Sequence, residues 1–372
     1  MFNIGKELRE RGPSGVFDLA REAAKQHVYD LRSRGEISFS DPKEGNIPSI
    51  HIVRRTVPEA WETATMALMG VGQSVHTGYD PRDHDGEYTS FPSLEGTVTM
   101  YISDPDGEPR FHKHFLGGWM GFGAYQAEIE GCNDDLMIYP AFVVKMIKDG
   151  RFNEIREDTK WKYTYSQRIR NFPFIDIEGQ PQTINQLNSV IAKLTREPLS
   201  KSGQVSTWDP RWDHHDDLMG VSWKEYDSPC LQRLWFRLVP LKDGYALNVN
   251  WDFRSRDHLK AVPQNIYGLF EGMYEHVRQE LAAALNVPIY KARVVDKSDS
   301  LHLYGHYFDV RSQGKDAEAY LLDIGRVASG EALEDRLVLP GTPMYDIMME
   351  DLDKEYKDAW NTSNIRRAQA GS

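Results

Sequence analysis

The stretch PCLQRLWFRLVPLKDGYALNVNWDFRSRD, residues 229–257, decides how this chain is read. Leu234, Phe236 and Leu238 recur at every second position, and so do Tyr245, Leu247, Val249, Trp251 and Phe253. That period belongs to strands with one buried face. Between the two runs, Pro240-Leu241-Lys242-Asp243-Gly244 has the composition of a hairpin loop. A hairpin centred near Lys242 sets Cys230 roughly opposite Arg254, give or take a residue or two, because loop length fixes register. A lone cysteine is more often a small core hydrophobe. Beside a guanidinium, however, its thiol is biased towards thiolate, the nucleophilic form.

Working outward, Ile266, Leu269, Phe270, Met273, Val277 and Leu281 describe a long core-facing helix over 265–285. Upstream, Thr56-Val57-Pro58-Glu59 is a helix start, with Thr as cap, Glu three residues on and Pro in the first turn. Thr97 to Ile102 alternates like a strand and stops at the turn sequence Asp104-Pro105-Asp106-Gly107. Ile184, Leu187, Ile191 and Leu194 mark an amphipathic helix ending before Glu197-Pro198. The expected organisation is an N-terminal extension over 1–48 with a helical pattern from Val16 to Leu31, a catalytic domain over 49–343, and an acidic-then-polar tail over 344–372.

The chain has 372 residues, 40% of them hydrophobic, enough for a substantial core. Its formal net charge of -12 argues against a general nucleic-acid binder, yet leaves room for a small anionic substrate held by a few arginines. Two cysteines, Cys132 and Cys230, cannot build a disulfide framework, which points to a reducing compartment. With no signal-like or membrane-spanning apolar run, the expectation is a soluble cytoplasmic protein (host cytoplasm for a phage-encoded one).

Pro229-Cys230, Arg254-Ser255-Arg256-Asp257, Pro263-Gln264-Asn265 and His302-Leu303-Tyr304 follow one another in an order that resembles the thymidylate synthase superfamily, whose pattern is Pro-Cys, Arg-Ser-x-Asp, Pro-Phe-Asn and His-x-Tyr. More weakly, Tyr163 to Arg168 is similar to the family's Tyr-Gly segment, and Val205-Ser206-Thr207-Trp208 to its Val-Ser-x-Trp strand. The resemblance implies an α/β (α+β) fold with a large mixed sheet flanked by helices, and a homodimer. It further implies a pyrimidine nucleotide substrate and 5,10-methylenetetrahydrofolate as co-substrate, with neither nucleic acid nor membrane as partner. Cys230 would add to C6 of the base, with Tyr165 and Glu128 as further catalytic residues. Arg254 and Ser255 would take the phosphate, Asp257 would orient ring or folate groups, and His302 and Tyr304 would hold the ribose. Asn265 would read the base, its carboxamide answering uracil rather than cytosine; a helix N-cap is the other reading of this residue.

The chain also departs from that pattern. The arginine pair before Val-Ser-x-Trp is replaced by Ser200-Lys201-Ser202-Gly203, so Lys201 offers a point charge in place of a fork. Arg54 and Arg55 are candidates to replace it, or else part of a solvated face. The positions one and five residues after Cys230, commonly His and Gln, are Leu231 and Trp235. These departures, with the Ala-Gly-Ser end, favour the hydroxymethylase branch, where water and not hydride completes the reaction. The expected activity is dUMP hydroxymethylation, with dTMP synthesis or an inactive nucleotide-binding relative as alternatives. His112, His114 and the run Trp212 to Asp217 lack metal-site spacing and are expected to be solvated loops, with no metal.

Overall fold

The two alternating runs form consecutive strands, Leu231–Pro240 (β9) and Tyr245–Asp257 (β10). Their connection closes with the Leu241 N–H donating to the Gly244 carbonyl at 2.8 Å. The computed structural model describes residues 4–116, 118–134, 149, 163–213 and 228–370. Among these residues an eight-stranded sheet runs β1-β2-β4-β11-β10-β9-β8, with β3 added on β4. The remaining members are Ile37–Phe39 (β1), Ser49–Arg54 (β2), Gln73–Val75 (β3), Ser93–Ile102 (β4), Gly203–Ser206 (β8) and Ile289–Leu303 (β11); Phe111–His112 (β5), Phe172–Ile175 (β6) and Pro181–Ile184 (β7) are short strands outside this sheet. The sheet is mixed: β2 runs parallel to β4, whereas β1 pairs antiparallel with β2 and β8 with β9. Helices flank it, as the resemblance implies.

By contact density the chain divides into two units, and neither is a continuous segment. The first comprises Met1–Gly118, Phe253–Pro263 and Val295–Tyr345. Its first helix, α1 (Ile4–Ser33), buries Val16, Phe17, Ala20, Ala24, Val28 and Leu31, the apolar stripe of the N-terminal segment. It lies against α2 (Val57–Val71) so closely that a Cβ on Gly70 would stand 2.7 Å from the Lys25 backbone nitrogen. Arg21 of α1 donates to the Met69 and Gly72 carbonyls, covering the acceptors that the end of α2 leaves unpaired. At the other end Thr56 caps α2, and its N–H donates to the Glu59 carboxylate at 3.0 Å as the sequence predicts.

The second unit comprises Trp119–Asp252, Gln264–Val294 and Asp346–Ser372. It contains α3 (Phe122–Glu130), α4 (Tyr165–Arg170), α5 (Gln186–Arg196) and the terminal helix α9 (Pro343–Ala370, of which Asp346 onward belongs here). The long helix predicted over 265–285 starts earlier and is interrupted: α6 (Ala261–Leu269), a π turn (Phe270–Tyr274) and α7 (Glu275–Leu285). All six apolar positions read from the sequence are buried. Ile184 is a correction. It ends the short strand Pro181–Ile184, and α5 starts after its cap Asn185, whose side chain accepts from the Asn188 N–H. The stripe that α5 buries is Leu187, Val190 and Leu194.

The histidines are the larger correction. His112 is buried in the first unit with Nε2 3.1 Å from the Glu62 carboxylate, which also takes two bonds from the buried Arg336. His114 contacts Asp323, on α8 (Lys315–Ala328). Asp213 is likewise buried, not solvated, while His214 to Asp217 lie outside the described residues. Polar clusters of this kind look solvated until the opposite charge arrives from a distant segment.

His258, at the end of β10, gives the first unit a titratable core. Its Nε2 lies 2.9 Å from the Thr65 hydroxyl and 3.0 Å from the Trp61 carbonyl, and the Trp61 indole N–H donates back to the His258 carbonyl at 3.1 Å. Burial, with the neighbouring charges of Arg256 and His302 adding to it, pulls the imidazole pKa from 6.5 down to about 3, against the opposing bond to Trp61. The folded state therefore holds the ring neutral. Its contribution to stability is complete above pH 6.5 and is lost as the pH falls from there through about 3. His258→Gln, which cannot protonate, should flatten the loss of urea stability over that interval. Equal slopes in the two proteins would remove His258 from the acid transition.

Candidate active site

The residues singled out by the sequence fall in both units. Arg254, Ser255, Asp257, His302 and Tyr304 belong to the first; Cys230, Tyr165, Asn265, Glu128 and Lys201 belong to the second.

Cys230 immediately precedes β9, is half-buried and makes no disulfide. Its surroundings are anchored through the backbone. The Leu231 N–H donates to the Tyr165 hydroxyl at 3.2 Å, the Leu231 carbonyl accepts from Thr207, and the Pro229 carbonyl accepts from the Gln232 amide at 2.6 Å. Tyr165 itself starts α4, whose cap Thr164 accepts from the Gln167 N–H at 2.9 Å. Next on α4, Arg168 is only 3% exposed and pairs with Asp213 at 2.9 Å, and Asp213 also accepts from the Asp209 N–H at 2.7 Å. The Gln186 amide joins α5 to the Val-Ser-x-Trp strand, exchanging bonds with the Ser206 backbone at 2.7 and 3.0 Å.

Asn265 is 7% exposed and sits inside α6, four residues after its first residue Ala261, so the N-cap reading fails. Its Nδ2 donates to the Tyr125 hydroxyl at 2.6 Å. Glu128, one turn further along α3, hydrogen bonds to Asn133. Burial raises its pKa, with the nearby Asp134 adding to the shift and the Asn133 bond opposing it. In the same corner burial and then the charge of Glu128 push the Cys132 thiol up to about 11, so this second cysteine stays protonated and inert. Lys201 is exposed in the loop before β8, where its carbonyl accepts from the Trp235 indole at 2.8 Å; the Ser200 carbonyl accepts from Arg237 at 3.0 Å. The tryptophan that departs from the family pattern thus ties down the lysine loop.

In the first unit, Arg254 and Ser255 are half-buried on β10. Arg256 turns inward to the buried Asp296 and lies over the Phe253 ring, 4.0 Å from its centroid. The Asp257 carboxylate accepts from the Leu259 and Lys260 N–H groups and, at 2.7 Å, from the Tyr307 hydroxyl. His302 is 8% exposed, and burial lowers its pKa despite the nearby Asp257. The ring bonds to the Ser300 backbone, while Nε2 has no hydrogen-bond partner among the described residues. Tyr304 lies 4.5 Å away, centroid to centroid. Arg54 is engaged with Glu36 and Thr63, and Arg55 with Asp104 and the Glu108 carbonyl. Sequence reading missed Tyr125, Tyr307 and the Arg168–Asp213 pair. A usable signal for the first was present in Gly268 and Gly272, a four-residue spacing of small residues that admits a close helix.

No family model matches the chain. It is similar to a protein named "Putative thymidylate synthase" from Methanococcoides burtonii, 27% identical over 185 residues, 44% of this chain and 72% of that relative. A protein of the same name from Methanosarcina barkeri is 29% identical over 150 residues, 40% of this chain and 56% of the relative. A third, from Methanocaldococcus jannaschii, is 34% identical over 110 residues, 29% of this chain and 43% of the relative. In the second and third cases the match spans about half the relative's length. No helix among the described residues is long and apolar enough to cross a membrane.

The Arg168–Asp213 pair has a measurable consequence. Removing one partner of a buried ion pair strands the other charge, at a cost of about 3–5 kcal/mol. Asp213→Ala should therefore lower urea stability by that amount. A loss below about 1 kcal/mol would show that Arg168 does not depend on Asp213.

Proposed function

We propose that this chain transfers a one-carbon unit from 5,10-methylenetetrahydrofolate to C5 of dUMP, with 5-hydroxymethyl-dUMP as the product, through a covalent bond between Cys230 and C6 of the base. The observation that supports this most is the His302 imidazole. A buried acceptor nitrogen left without a partner is costly. Neutral, and beside Tyr304, it offers a ribose hydroxyl the acceptor that the fold itself leaves unused. The archaeal relatives named putative thymidylate synthase support the coarser reading, C5 one-carbon transfer. The departures at Leu231 and Trp235 support the finer one, in which water takes the last step.

In this reading Arg254 and Ser255 hold the phosphate, and Lys201 adds positive charge. Cys230 as thiolate attacks C6, which makes C5 nucleophilic. Tyr165 holds the backbone at Cys230 and is a further catalytic residue. The carboxyl of Glu128, held above the usual carboxylate range by burial, is the proposed acid–base group. The folate supplies the one-carbon unit. Asp257 fits a contact to it, since a carboxylate has about four acceptor sites and three are in use here. Loss of the C5 proton expels tetrahydrofolate and leaves an exocyclic methylene on C5; water adds to that carbon as the Cys230–C6 bond breaks, which gives the hydroxymethyl group and frees the thiol. The active form is proposed to be a cytoplasmic homodimer.

Product analysis tests the reaction. Recovery of tetrahydrofolate with the modified nucleotide supports hydroxymethylation, recovery of dihydrofolate points to methylation, and an unmodified nucleotide would discard both. Cys230→Ser should lose at least a hundredfold in turnover and any covalent adduct with 5-fluoro-dUMP seen by mass spectrometry, while dUMP binding persists. A tenth of the activity surviving would acquit Cys230. Asn265→Asp should shift the kcat/KM ratio from dUMP towards dCMP by about tenfold or more, because a mismatched polar edge leaves buried groups unpaired. An unchanged ratio would retire Asn265 as the base reader.

A further inference from the structure

The second unit holds a polar cavity of about 560 Å³ that no step of the proposed reaction uses. Side chains reach it from α3, α4, the π turn with α7, β11 and α9. On α3, Gln126 and Glu130 line it, whereas Glu128, two residues from each, belongs to another face and bonds to Asn133. Glu271 and Gly272 line it from the π turn, a distortion that often marks a functional position.

Arg170 is the group in its wall that the fold leaves unpaired. The fully buried arginines, Arg168, Arg256 and Arg336, each face a carboxylate. Arg170 pairs with none among the described residues. Its Nη2 donates to the Gly272 carbonyl at 3.1 Å, and its buried Nε has no hydrogen-bond partner there. His276 Nε2 is likewise buried without one. Burial lowers the His276 pKa and the nearby charge of Arg170 lowers it further, so the ring is neutral and can carry its proton on Nε2. The charge of Glu130 acts on both Arg170 and His276, yet Glu130 bonds to neither. It accepts from Tyr356 at 2.6 Å and from Gln126 at 3.0 Å, and a carboxylate has about four acceptor sites, so it has room for more.

The charges in the wall narrow the class of ligand. Three carboxylates, Glu130, Glu271 and Glu275, stand against two cations, Arg170 and Lys291. Glu275 and Lys291 already meet at 3.3 Å. A phosphate dianion would enter a wall of net negative charge, and a simple amine would leave Arg170 unanswered. A zwitterion set between Arg170 and Glu130 answers both. We infer that this cavity binds a free α-amino acid, its carboxylate on Arg170 and His276 and its ammonium group on Glu130. The volume falls within the roughly 300–1,000 Å³ of small-molecule sites, which leaves space for a side chain. The inference is independent of the reaction proposed for Cys230.

Calorimetry with the common L-amino acids, one at a time and without nucleotide or folate, should find at least one with a Kd below about 1 mM. Its N-acetyl derivative lacks the ammonium group and its amino-alcohol counterpart lacks the carboxylate; each should bind about tenfold more weakly or worse. Arg170→Gln should weaken the amino acid to a similar degree. So should Glu130→Gln, whose amide oxygen still accepts from Tyr356 and keeps that contact of the fold. Absence of binding by every amino acid at about 10 mM would overturn the assignment. Equal affinity for the acetylated form, or an affinity unchanged in both variants, would overturn it too. None of these readings needs turnover, so a chain that modifies no nucleotide would sink the transferase reading and leave this one to be decided by its own Kd values.

Discussion

Two glycines set how closely α3 approaches the helix that follows β10. A Cβ on Gly272 would stand 2.9 Å from Ile129, and one on Gly268 still nearer the Tyr125 ring. The second of them lies within a π turn, Phe270–Tyr274, a one-residue insertion of a kind common at functional positions. The turn presents Tyr274 to the sheet, where its hydroxyl donates to the Leu247 carbonyl at 2.7 Å and accepts from the Ala292 N–H at 2.9 Å. One helix is thus pinned to α3 on one side and to two strands on the other. The position of Asn265 follows from both attachments, as does the corner that holds Glu128 and Cys132.

What the sequence made legible was local in origin. The β9–β10 alternation, the Thr56 cap with Glu59, and the buried stripe from Ile266 to Leu281 each depend on neighbours a few residues away, so periodicity and turn chemistry were enough. The order of Pro-Cys, Arg-Ser-x-Asp, Asn and His-x-Tyr pointed to a mixed sheet flanked by helices, and the eight strands bear that out. What was hidden is set by pairs distant in sequence. Tyr125 and Asn265 are 140 residues apart, and Glu62 and Arg336 are separated by 274. His112 looked like a loop residue because nothing near it in the chain announces the carboxylate that receives it. The cap reading of Asn265 fails because the helix read over 265–285 begins earlier, at Ala261.

Buried charge is handled by pairing throughout. Arg168 with Asp213, Arg256 with Asp296, and Arg336 with Glu62 each place a guanidinium against a carboxylate with almost no solvent. Arginine suits such positions because its planar, delocalised charge is weakly hydrated and its donors are forked. The arrangement also separates Arg256, turned into the core, from Arg254 and Ser255 on the same strand, which remain half-buried. A single strand therefore supplies both an internal brace and the residues proposed to meet a phosphate.

The N-terminus of α3 has no side-chain cap of its own. The Gly121 and Gly123 N–H groups donate instead to the carboxylate of Glu355, at 2.8 to 3.2 Å, and the Trp119 indole donates to Asp351 at 3.0 Å, both from α9. On the ribosome α3 emerges more than two hundred residues before the helix that completes it. During that interval its leading amides face water or a surrogate acceptor, and the positive end of its dipole has no fixed counter-charge. The second unit cannot close in the order in which it is made. Its earliest helix waits for its last, so the leading amides of α3 stay without their carboxylate until Glu355 has been made. That window is when a chaperone has most to shield.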